Sequence, residues 1–509
     1  MICQSINLSY RTLACAIISA GLLSACAVGP DYERPDVNAP EQFRSTTAAE
    51  QINTTIPGQL SADAWWEGFN DPVLNDLVEA GLQNNRDLQS AIARVRKARG
   101  QLVTTRGKFF PQVEYYGAGE RGQFMGLDQT VVTSTPGSLT TIGTMALPAS
   151  WQLDVFGGLR RQYEAASANQ AAAEASRQAI ALSVAGEVTN IYITLRSLDQ
   201  QLAVAKQTLE NYKTTLRIFD LRFRYGTANM VQVSQIQSQV DAAEAAIPPL
   251  VQAIGEQENN LNFFLGRNPG SIPRGKPIDQ LALPIPPAGL PSDLLARRPD
   301  VRLAEQRLIA ANAQIGAVKA QFFPNISLTA SLGTSATALG SLFGGGTSIW
   351  DAGLIVMGPL FKGGEIYGQF VGAKAEQQAL MSQYLKSVEG AFRDTDNALI
   401  ATTQTRKLVT ARQQQVGTLK TYANLSSMQF NYGYTDYLTV LNAEDSLFKA
   451  QLDLARSQAD QALSQVSLYM ALGGGWEAAD QKTMTANEAI AKGDDPRNPV
   501  NQQGFWPFR

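Results

Sequence analysis

The chain alternates between long stretches with a helical spacing of apolar residues and short stretches in which apolar and polar residues alternate. Over residues 159–223, apolar positions recur mostly at three-, four- and seven-residue steps, without proline and with Gly186 as the single glycine. A continuous helix over this span is about 97 Å long, at about 1.5 Å per residue. Alanines crowd residues 165–185, which allows close helix packing. Such a segment is typical of a coiled coil or a helical tube.

The short stretches predict β-strands with one apolar and one small polar face. Residues 143–155 and 325–333 alternate in this way. A strand of an outer-membrane barrel and a strand of a soluble sandwich give the same local pattern. The long helices and the lipid signal described below favour the barrel. Trp151 and Trp350 fit either a membrane interface or a core, and the Gly- and Ser/Thr-rich residues near 122–141 and 333–348 predict extracellular hairpin loops.

The second half of the chain repeats motifs of the first half in the same order. Phe-Phe-Pro occurs at 109–111 and 322–324, Gly-Gly at 157–158 and 363–364, and Tyr-Gly at 225–226 and 432–433. This order predicts one structural unit built twice. Each unit is predicted as a helix, a strand pair, a very long helix, a turn and a returning helix. The first helix begins at Asp71-Pro72 and ends before residue 109, and its counterpart begins near Arg298-Pro299-Asp300.

The predicted strand count has a consequence for assembly. Two halves give four strands per chain, and a sheet in lipid must close because open edges leave backbone groups unpaired. Four strands cannot close, and an eight-stranded barrel is filled by its own side chains. A conduit therefore needs at least three chains. We predict a mixed α and β membrane protein in which three or more chains share one β-barrel, twelve-stranded for three chains, joined to a long helical tube.

Composition narrows the function classes. The net charge of −3 over 509 residues is too balanced to suggest a nucleic-acid partner. Histidine is absent, which removes His-based acid/base catalysis, Ser-His-Asp triads and imidazole metal sites. No pair of carboxylates is singled out for catalysis. We predict neither an enzyme nor a metal site.

All three cysteines, Cys3, Cys15 and Cys26, lie at the N-terminus. Residues 12–28 carry no charge and follow Arg11, which is typical of an export signal and too short for a spanning helix of about 20 residues. The segment Leu-Ser-Ala-Cys at 23–26 is similar to a bacterial lipobox, in which the cysteine is acylated after cleavage. The alternative is an ordinary signal peptide with an incidental cysteine.

These features define six segments of the chain. We predict a lipoprotein signal peptide, a lipid-anchored N-terminal segment, a first repeat, a Pro-rich linker crossing the surface in extended form, a second repeat and a flexible tail. Their respective bounds are residues 1–25, 26–70, 71–268, 269–291, 292–476 and 477–509. The covalent lipid on Cys26 is the only non-protein group expected, and no cofactor is predicted.

Four motifs carry a resemblance to a known family. They are Cys-Ala-Val-Gly-Pro-Asp-Tyr at 26–32, Trp-Trp at 65–66, Leu-Ala-Arg-Arg-Pro-Asp-Val-Arg at 295–302 and Leu-Tyr-Met-Ala-Leu-Gly-Gly-Gly-Trp at 468–476. The chain resembles the TolC-like outer-membrane efflux protein family, specifically its OprM/NodT-like lipoprotein branch. The resemblance covers residues 26–476.

The resemblance implies a homotrimer, anchored by lipid in the outer membrane. In it, a trimeric twelve-stranded outer-membrane β-barrel is continuous with a long periplasmic α-helical barrel of twelve helices. It also implies two protein partners, a periplasmic adaptor (membrane fusion) protein and an inner-membrane pump, usually proton-driven. The implied function is the outer-membrane channel of a tripartite efflux system that passively exports small molecules. Two alternatives remain: the exit duct of a one-step protein secretion system, and a coiled-coil envelope lipoprotein acting as spacer or adhesin. The alternating strands argue against the last.

In the family, the returning helices close the periplasmic end of the tube just after the turn. By position, Leu438 matches a leucine constriction, and Asn442 falls where the family commonly has an aspartate ring. The remaining candidates are the turn residues and nearby carboxylates, namely Tyr225, Gly226, Tyr432, Gly433, Asp436, Glu444 and Asp445. The carboxylates either compensate for the neutral Asn442 or are solvated helix-surface residues.

Overall fold

The computed structural model describes residues 27–37, 43–44, 64–122, 140–283, 297–344 and 346–474. The signal segment, Cys26, most of the first predicted hairpin loop, part of the linker and the 477–509 tail lie outside the described residues. The chain divides into two compact units. The first contains residues up to Asp36, Val95–Ala173 and Leu303–Leu385. The second contains Val37–Arg94, Glu174–Arg302 and the residues from Lys386 onwards.

The first unit contains an antiparallel sheet. Its strands are β1 (Gln112–Val113), β2 (Tyr116–Gly122), β3 (Thr140–Leu153), β4 (Asn325–Ala336) and β5 (Thr347–Met357). Strand β3 pairs with β1 and β2 on one side and with β4 on the other, and β4 pairs with β5. The strands predicted from alternation over 143–155 and 325–333 are confirmed.

Strands β1 and β2 form one strand that is interrupted opposite a proline. Gln112 lies opposite Ser150 and Tyr116 lies opposite Ala146, so the register does not change across the gap. The gap faces Pro148, which has no N–H to donate to the ladder. The carbonyl of Pro148 still accepts a 2.9 Å bond from the Glu114 amide. The described sheet therefore has four strand positions, two from each half of the chain.

The register aligns the alternating patterns of neighbouring strands on one exposed apolar face. Leu332 lies between Leu147 and Trp350, and Leu328 lies between Trp151 and Leu354. The opposite face carries mainly small and polar residues of the same strands. The core alternative for the tryptophans is wrong, because Trp151 and Trp350 are 38% and 77% exposed in the chain.

Eight α-helices are present in the described residues. They are α1 (Pro72–Asn84), α2 (Arg86–Gly107), α3 (Gly158–Arg224), α4 (Met230–Ala245), α5 (Ile247–Phe264), α6 (Pro299–Lys319), α7 (Glu365–Asn431) and α8 (Tyr437–Ala471). The very long helix is confirmed as α3, and the second half contains its equal in α7, each of 67 residues. None of the helices in the described parts combines the length and apolar content needed to cross a membrane.

Two helices predicted as single are each divided. Asn85 has an extended backbone between α1 and α2, and its Oδ1 accepts bonds of 2.9 and 3.1 Å from the amides of Asp87 and Leu88. Asn85 thus caps a new helix in the middle of the predicted one. The returning helix of the first half divides at Ala246, because Pro248 and Pro249 in the first turn of α5 lack the N–H groups that would continue α4.

The main core of the second unit includes part of the linker. Trp65 stacks on Tyr469 at 5.5 Å between ring centroids, within a cluster that also buries Ile272, Ile278 and Leu281. The expectation that the linker crosses the surface is therefore wrong for Ile272, Ile278 and Leu281, whereas Pro273, Asp279 and Gln280 between them are exposed. Prolines prevent a long helix there, but the apolar residues between them still lose water by packing onto α-helices.

Asp71 connects the linker to the start of α1 through hydrogen bonds. Its Oδ1 accepts a 3.0 Å bond from the Val73 amide, which confirms the predicted helix cap. Its Oδ2 accepts bonds from the Tyr192 hydroxyl at 2.7 Å and from the Lys276 amide at 3.0 Å. One fully buried carboxylate thus joins α1, α3 and the linker.

Candidate functional site: the helical turns and the strap after Cys26

The two turns that join the long helices to the returning helices share one geometry. Gly226 and Gly433 have φ values of 75° and 80°, a left-handed conformation that glycine adopts at little cost. After the glycine of the first turn, the Thr227 amide donates to the Arg222 carbonyl at 2.8 Å. In the second turn, the Tyr434 amide donates to the Gln429 carbonyl at the same distance. The predicted turns therefore lie where sequence placed them, with Tyr225 and Tyr432 83% and 75% exposed.

Each returning helix begins at a side-chain cap. Asn229 Oδ1 accepts a 2.9 Å bond from the Gln232 amide, and Gln232 Oε1 accepts a 3.1 Å bond from the Asn229 amide. Asp436 Oδ1 accepts bonds from the Thr439 hydroxyl at 2.8 Å and the Thr439 amide at 3.0 Å. These bonds lower the pKa of Asp436. The structure thus places Asp436 as the cap of α8.

An aromatic cluster joins the two turns within the second unit. The ring of Phe219 lies 4.3 Å from that of Tyr437 and 5.9 Å from that of Phe430, measured between centroids. The guanidinium of Arg222 lies 5.3 Å from the Phe219 ring centroid and 5.5 Å from that of Phe430. Sequence reasoning missed this cluster, although the regular spacing of aromatics before both turns was its signal.

The gate candidates lie side by side on an open face. Leu438 is 46% exposed, and Asn442 is exposed one helical turn further along α8. They border a groove of about 500 Å³ whose other wall is α4, with Met230 and Val231 among its lining residues. An apolar and an amide side chain are thus presented together at the open side of a groove between α4 and α8.

The two candidate carboxylates within α8, Glu444 and Asp445, have different environments. Asp445 pairs with Lys449 at 2.7 Å on the helix surface. Glu444 is half-buried, and its Oε2 atom is shielded from solvent without a hydrogen-bond partner among the described residues. Burial raises the pKa of Glu444. A solvated surface position is therefore wrong for Glu444.

Arg298 has a structural role at the start of α6. Its guanidinium pairs with Asp300 at 2.7 Å and with Asp394 at 3.6 Å, and it donates to the carbonyl of Ala471 at 3.1 Å. The predicted pairing with carboxylates is confirmed for this arginine. In the parts of the chain that the structure describes, no group of three or more Asp, Glu, Cys or His residues is arranged to hold a metal ion.

The described residues after Cys26 form a strap within the first unit. The Val28 amide donates to the Phe156 carbonyl at 3.1 Å, just beyond the end of β3. Asp31 pairs with Arg161 at 2.6 Å. Arg34 binds Glu305 through two bonds of 2.6 Å each. Cys26 itself lies outside the described residues. The strap holds the segment that follows Cys26 close to the end of β3.

The sequence matches the outer membrane efflux protein family twice, over residues 77–267 and again over 290–474. Together the two matches cover well over half of the chain. The chain belongs to the outer membrane efflux protein family. It is an outer-membrane protein, and the family is one of transport components.

Relatives of known name agree with this membership. The solvent efflux pump outer membrane protein SrpC of Pseudomonas putida is 32% identical over 465 residues, which is 90% of this chain and 97% of the relative. The cation efflux system protein CusC of Escherichia coli is 31% identical over 458 residues, 89% of this chain and 97% of the relative.

Solved structures of the family share the fold. The outer-membrane channel OprN matches with a TM-score of 0.79 and 30% identity, over 89% of this chain and all (100%) of that one. The open state of the Neisseria gonorrhoeae MtrE outer membrane channel matches with a TM-score of 0.78 and 29% identity, over 89% of this chain and 99% of that one. The TolC-like resemblance inferred from the motifs is confirmed.

Proposed function

We propose that three copies of this efflux protein close one twelve-stranded barrel in the outer membrane and form the passive exit of a tripartite efflux system. The sheet of the described chain carries the proposal. One edge is formed by β1 and β2 and the other by β5, and neither edge has a further strand among the described residues. In lipid these edges must pair, and three copies of four strands provide a barrel wide enough for a lumen.

The two faces of the sheet have the polarity that such a barrel requires. The apolar face, with Leu147, Leu332 and Leu354 between 54% and 63% exposed, suits the acyl chains of the bilayer. The small polar face suits a water-filled lumen. Trp151 and Trp350 on the apolar face suit the membrane interfaces.

The long helices α3 and α7 and their returning partners extend into the periplasm and form a helical barrel of twelve helices. The turns at Tyr225-Gly226 and Tyr432-Gly433 mark its periplasmic end. There, three copies of Leu438 meet near the axis as a narrow dewetted constriction, which stops ions without charge. Asn442, one turn further, bonds to neighbouring chains and holds the end closed until partners engage it.

Cys26 carries covalent lipid and anchors the strap at the outer membrane. The strap supports this placement, because Val28 bonds to Phe156 close to the strand ends. The partners are a periplasmic adaptor protein and an inner-membrane pump of the proton-driven class that the family resemblance implies, and the chain itself carries out no chemical step. The names of the relatives cover solvents, antibiotics and cations, and we propose that the cargo is a small molecule or ion of one of these classes.

Deletion of the gene in its own bacterium tests the function. The deletion strain is expected to accumulate toluene, antibiotics or metal cations, and a plasmid copy of the wild-type gene is expected to restore their export. The secreted proteins of both strains, compared by mass spectrometry, test the alternative of a protein secretion duct. Unchanged small-molecule export together with a lost secreted protein would favour that alternative.

A further inference from the structure

A polar cleft of about 520 Å³ lies between α3, α7 and α8 in the second unit. Its lining includes Gln207, Asn211, Tyr212, Asn424, Glu444 and Gln451. Two polar atoms at this cleft, Glu444 Oε2 and Tyr212 Oη, are shielded from solvent and have no hydrogen-bond partner in the described chain. A buried acceptor of this kind is costly when it carries charge and much less so when it is protonated.

The titratable groups around Glu444 do not compensate for its charge. From α3 comes Tyr212, whose pKa is raised by burial and then by Glu444 and Asp445. From α8 come Tyr437, whose pKa is also raised by burial and by Glu444, and Asp445, which is paired with Lys449. The positive charge of Arg222 opposes this shift by lowering the pKa of Tyr437.

The residues of α7 that line the cleft are Ala423, Asn424 and Ser427, and none of them is charged. Burial accounts for the raised pKa of Glu444.

We propose that Glu444 links the closed state of the periplasmic end to a proton. Glu444 binds a proton while α8 is packed against α3 and α7, and it releases the proton when these helices separate. The inference rests on the gate in the proposed function, since Glu444 lies on α8 within two turns of Leu438.

The direction of the pH effect follows from the raised pKa. Between the ordinary pKa of a glutamate and its raised value in the packed state, the packed state binds more protons than the separated state. A fall in pH therefore favours the closed arrangement, and a rise in pH through the packed-state pKa weakens it. Each unit of difference in pKa changes the closed-to-open ratio by up to about tenfold per chain.

Single-channel recording in planar bilayers tests the link. The full-length protein with Leu438→Ala provides a measurable current, and the pH is lowered in steps from about 7.5 to about 5, toward the ordinary pKa of a glutamate. Current is expected to fall at the lower pH. With Glu444→Gln added, current is expected to be low at both pH values. The matched control, Asp445→Asn, removes a neighbouring charge and is expected to keep the pH response.

Thermal unfolding in detergent provides a second readout that does not depend on current. The wild-type midpoint is expected to rise from about pH 7.5 to about pH 5, whereas the Glu444→Gln midpoint loses Glu444's contribution to that rise. A Glu444→Gln protein with the full pH response in both measurements would overturn the proton link. A complete absence of channels in every variant would instead count against the proposed channel function.

Discussion

Asn229 and Asp436 occupy equivalent positions in the two halves of the chain, and each caps the helix that returns from a turn. Asn229 accepts from the Gln232 amide at 2.9 Å, and Asp436 accepts from the Thr439 amide at 3.0 Å. The two halves thus begin their returning helices with the same type of side-chain N-cap. The capping residue is neutral in the first half and charged in the second. Because only Asp436 can bind a proton, we expect the two turns to respond differently to pH.

Replacing Asn229 by alanine is expected to loosen the start of α4. Loss of the cap leaves a first-turn amide without its acceptor, which costs about 1 kcal/mol of local stability. Hydrogen exchange of the peptide that begins α4 is expected to accelerate accordingly. Ser238→Ala, further along the same helix, is the control and is expected to leave that peptide unchanged. Equal exchange in Asn229→Ala and wild type would contradict the capping role.

The cap at Asp436 is expected to weaken in acid. Its pKa is lowered by the bonds from Thr439, so the cap stabilises α8 above the ordinary aspartate pKa and loses that contribution as the pH falls through the lowered value. Hydrogen exchange at the start of α8, corrected for intrinsic rate, is expected to show this loss. Asp436→Asn keeps a capping oxygen and is expected to remove the pH dependence. A persistent dependence in that variant would assign it to another group.

Opening of the gate is expected when Leu438 and Asn442 are both replaced by alanine. The substitutions widen the apolar constriction and remove the bonds between neighbouring chains, at modest cost to stability because both residues are exposed in the single chain. Wild type is expected to pass little current in planar bilayers and the double variant clearly more. Lys449→Ala on the same helix is the control. Equal conductance in wild type and double variant would place the gate elsewhere, such as the turn at 225–231.

The barrel is expected to favour cations. Register and alternation place Glu114, Glu120 and Asp351 on the polar face, whereas Arg121 falls on the apolar face and is the sole Lys or Arg within the described strands. Three chains then give a lumen lined by carboxylates, which attract cations. Reversal potentials in a KCl gradient are expected to show cation selectivity that falls in the triple variant Glu114→Gln, Glu120→Gln, Asp351→Asn.

Arg121→Gln is the control for this measurement, because its side chain faces away from the proposed lumen. It is expected to keep the wild-type reversal potential. An unchanged selectivity in the triple variant would show that the charge filter lies outside the barrel.

Lipid attachment is expected at Cys26. Wild-type protein is expected to incorporate labelled palmitate, and Cys26→Ser is expected to incorporate none, while both remain in the outer membrane because the barrel spans it. Cys15→Ser within the signal segment serves as a control that retains the label. Wild-type protein without label would show that the segment 23–26 is an ordinary cleavage site.

Sequence alone predicted the features that depend on local periodicity. The strands, the 67-residue helix α3 and both glycine turns follow from spacing and from residue type. The break at Asn85 was not predicted, because an asparagine inside a helical pattern becomes a cap only when its backbone is held extended. The burial of Ile272 and the shielding of Glu444 were also not predicted from the sequence, since both depend on which helices pack together. The aromatic cluster around Phe219 was not predicted for the same reason.

The number of chains per particle decides whether the β-barrel is shared between copies of the protein. Light scattering of the detergent-extracted protein, with the detergent mass subtracted by combined refractive-index and ultraviolet signals, gives this number. We expect three chains, each close to the 54.9 kDa of the full chain less its signal peptide. A particle of one chain that still has a strand-rich circular dichroism spectrum would contradict the shared barrel.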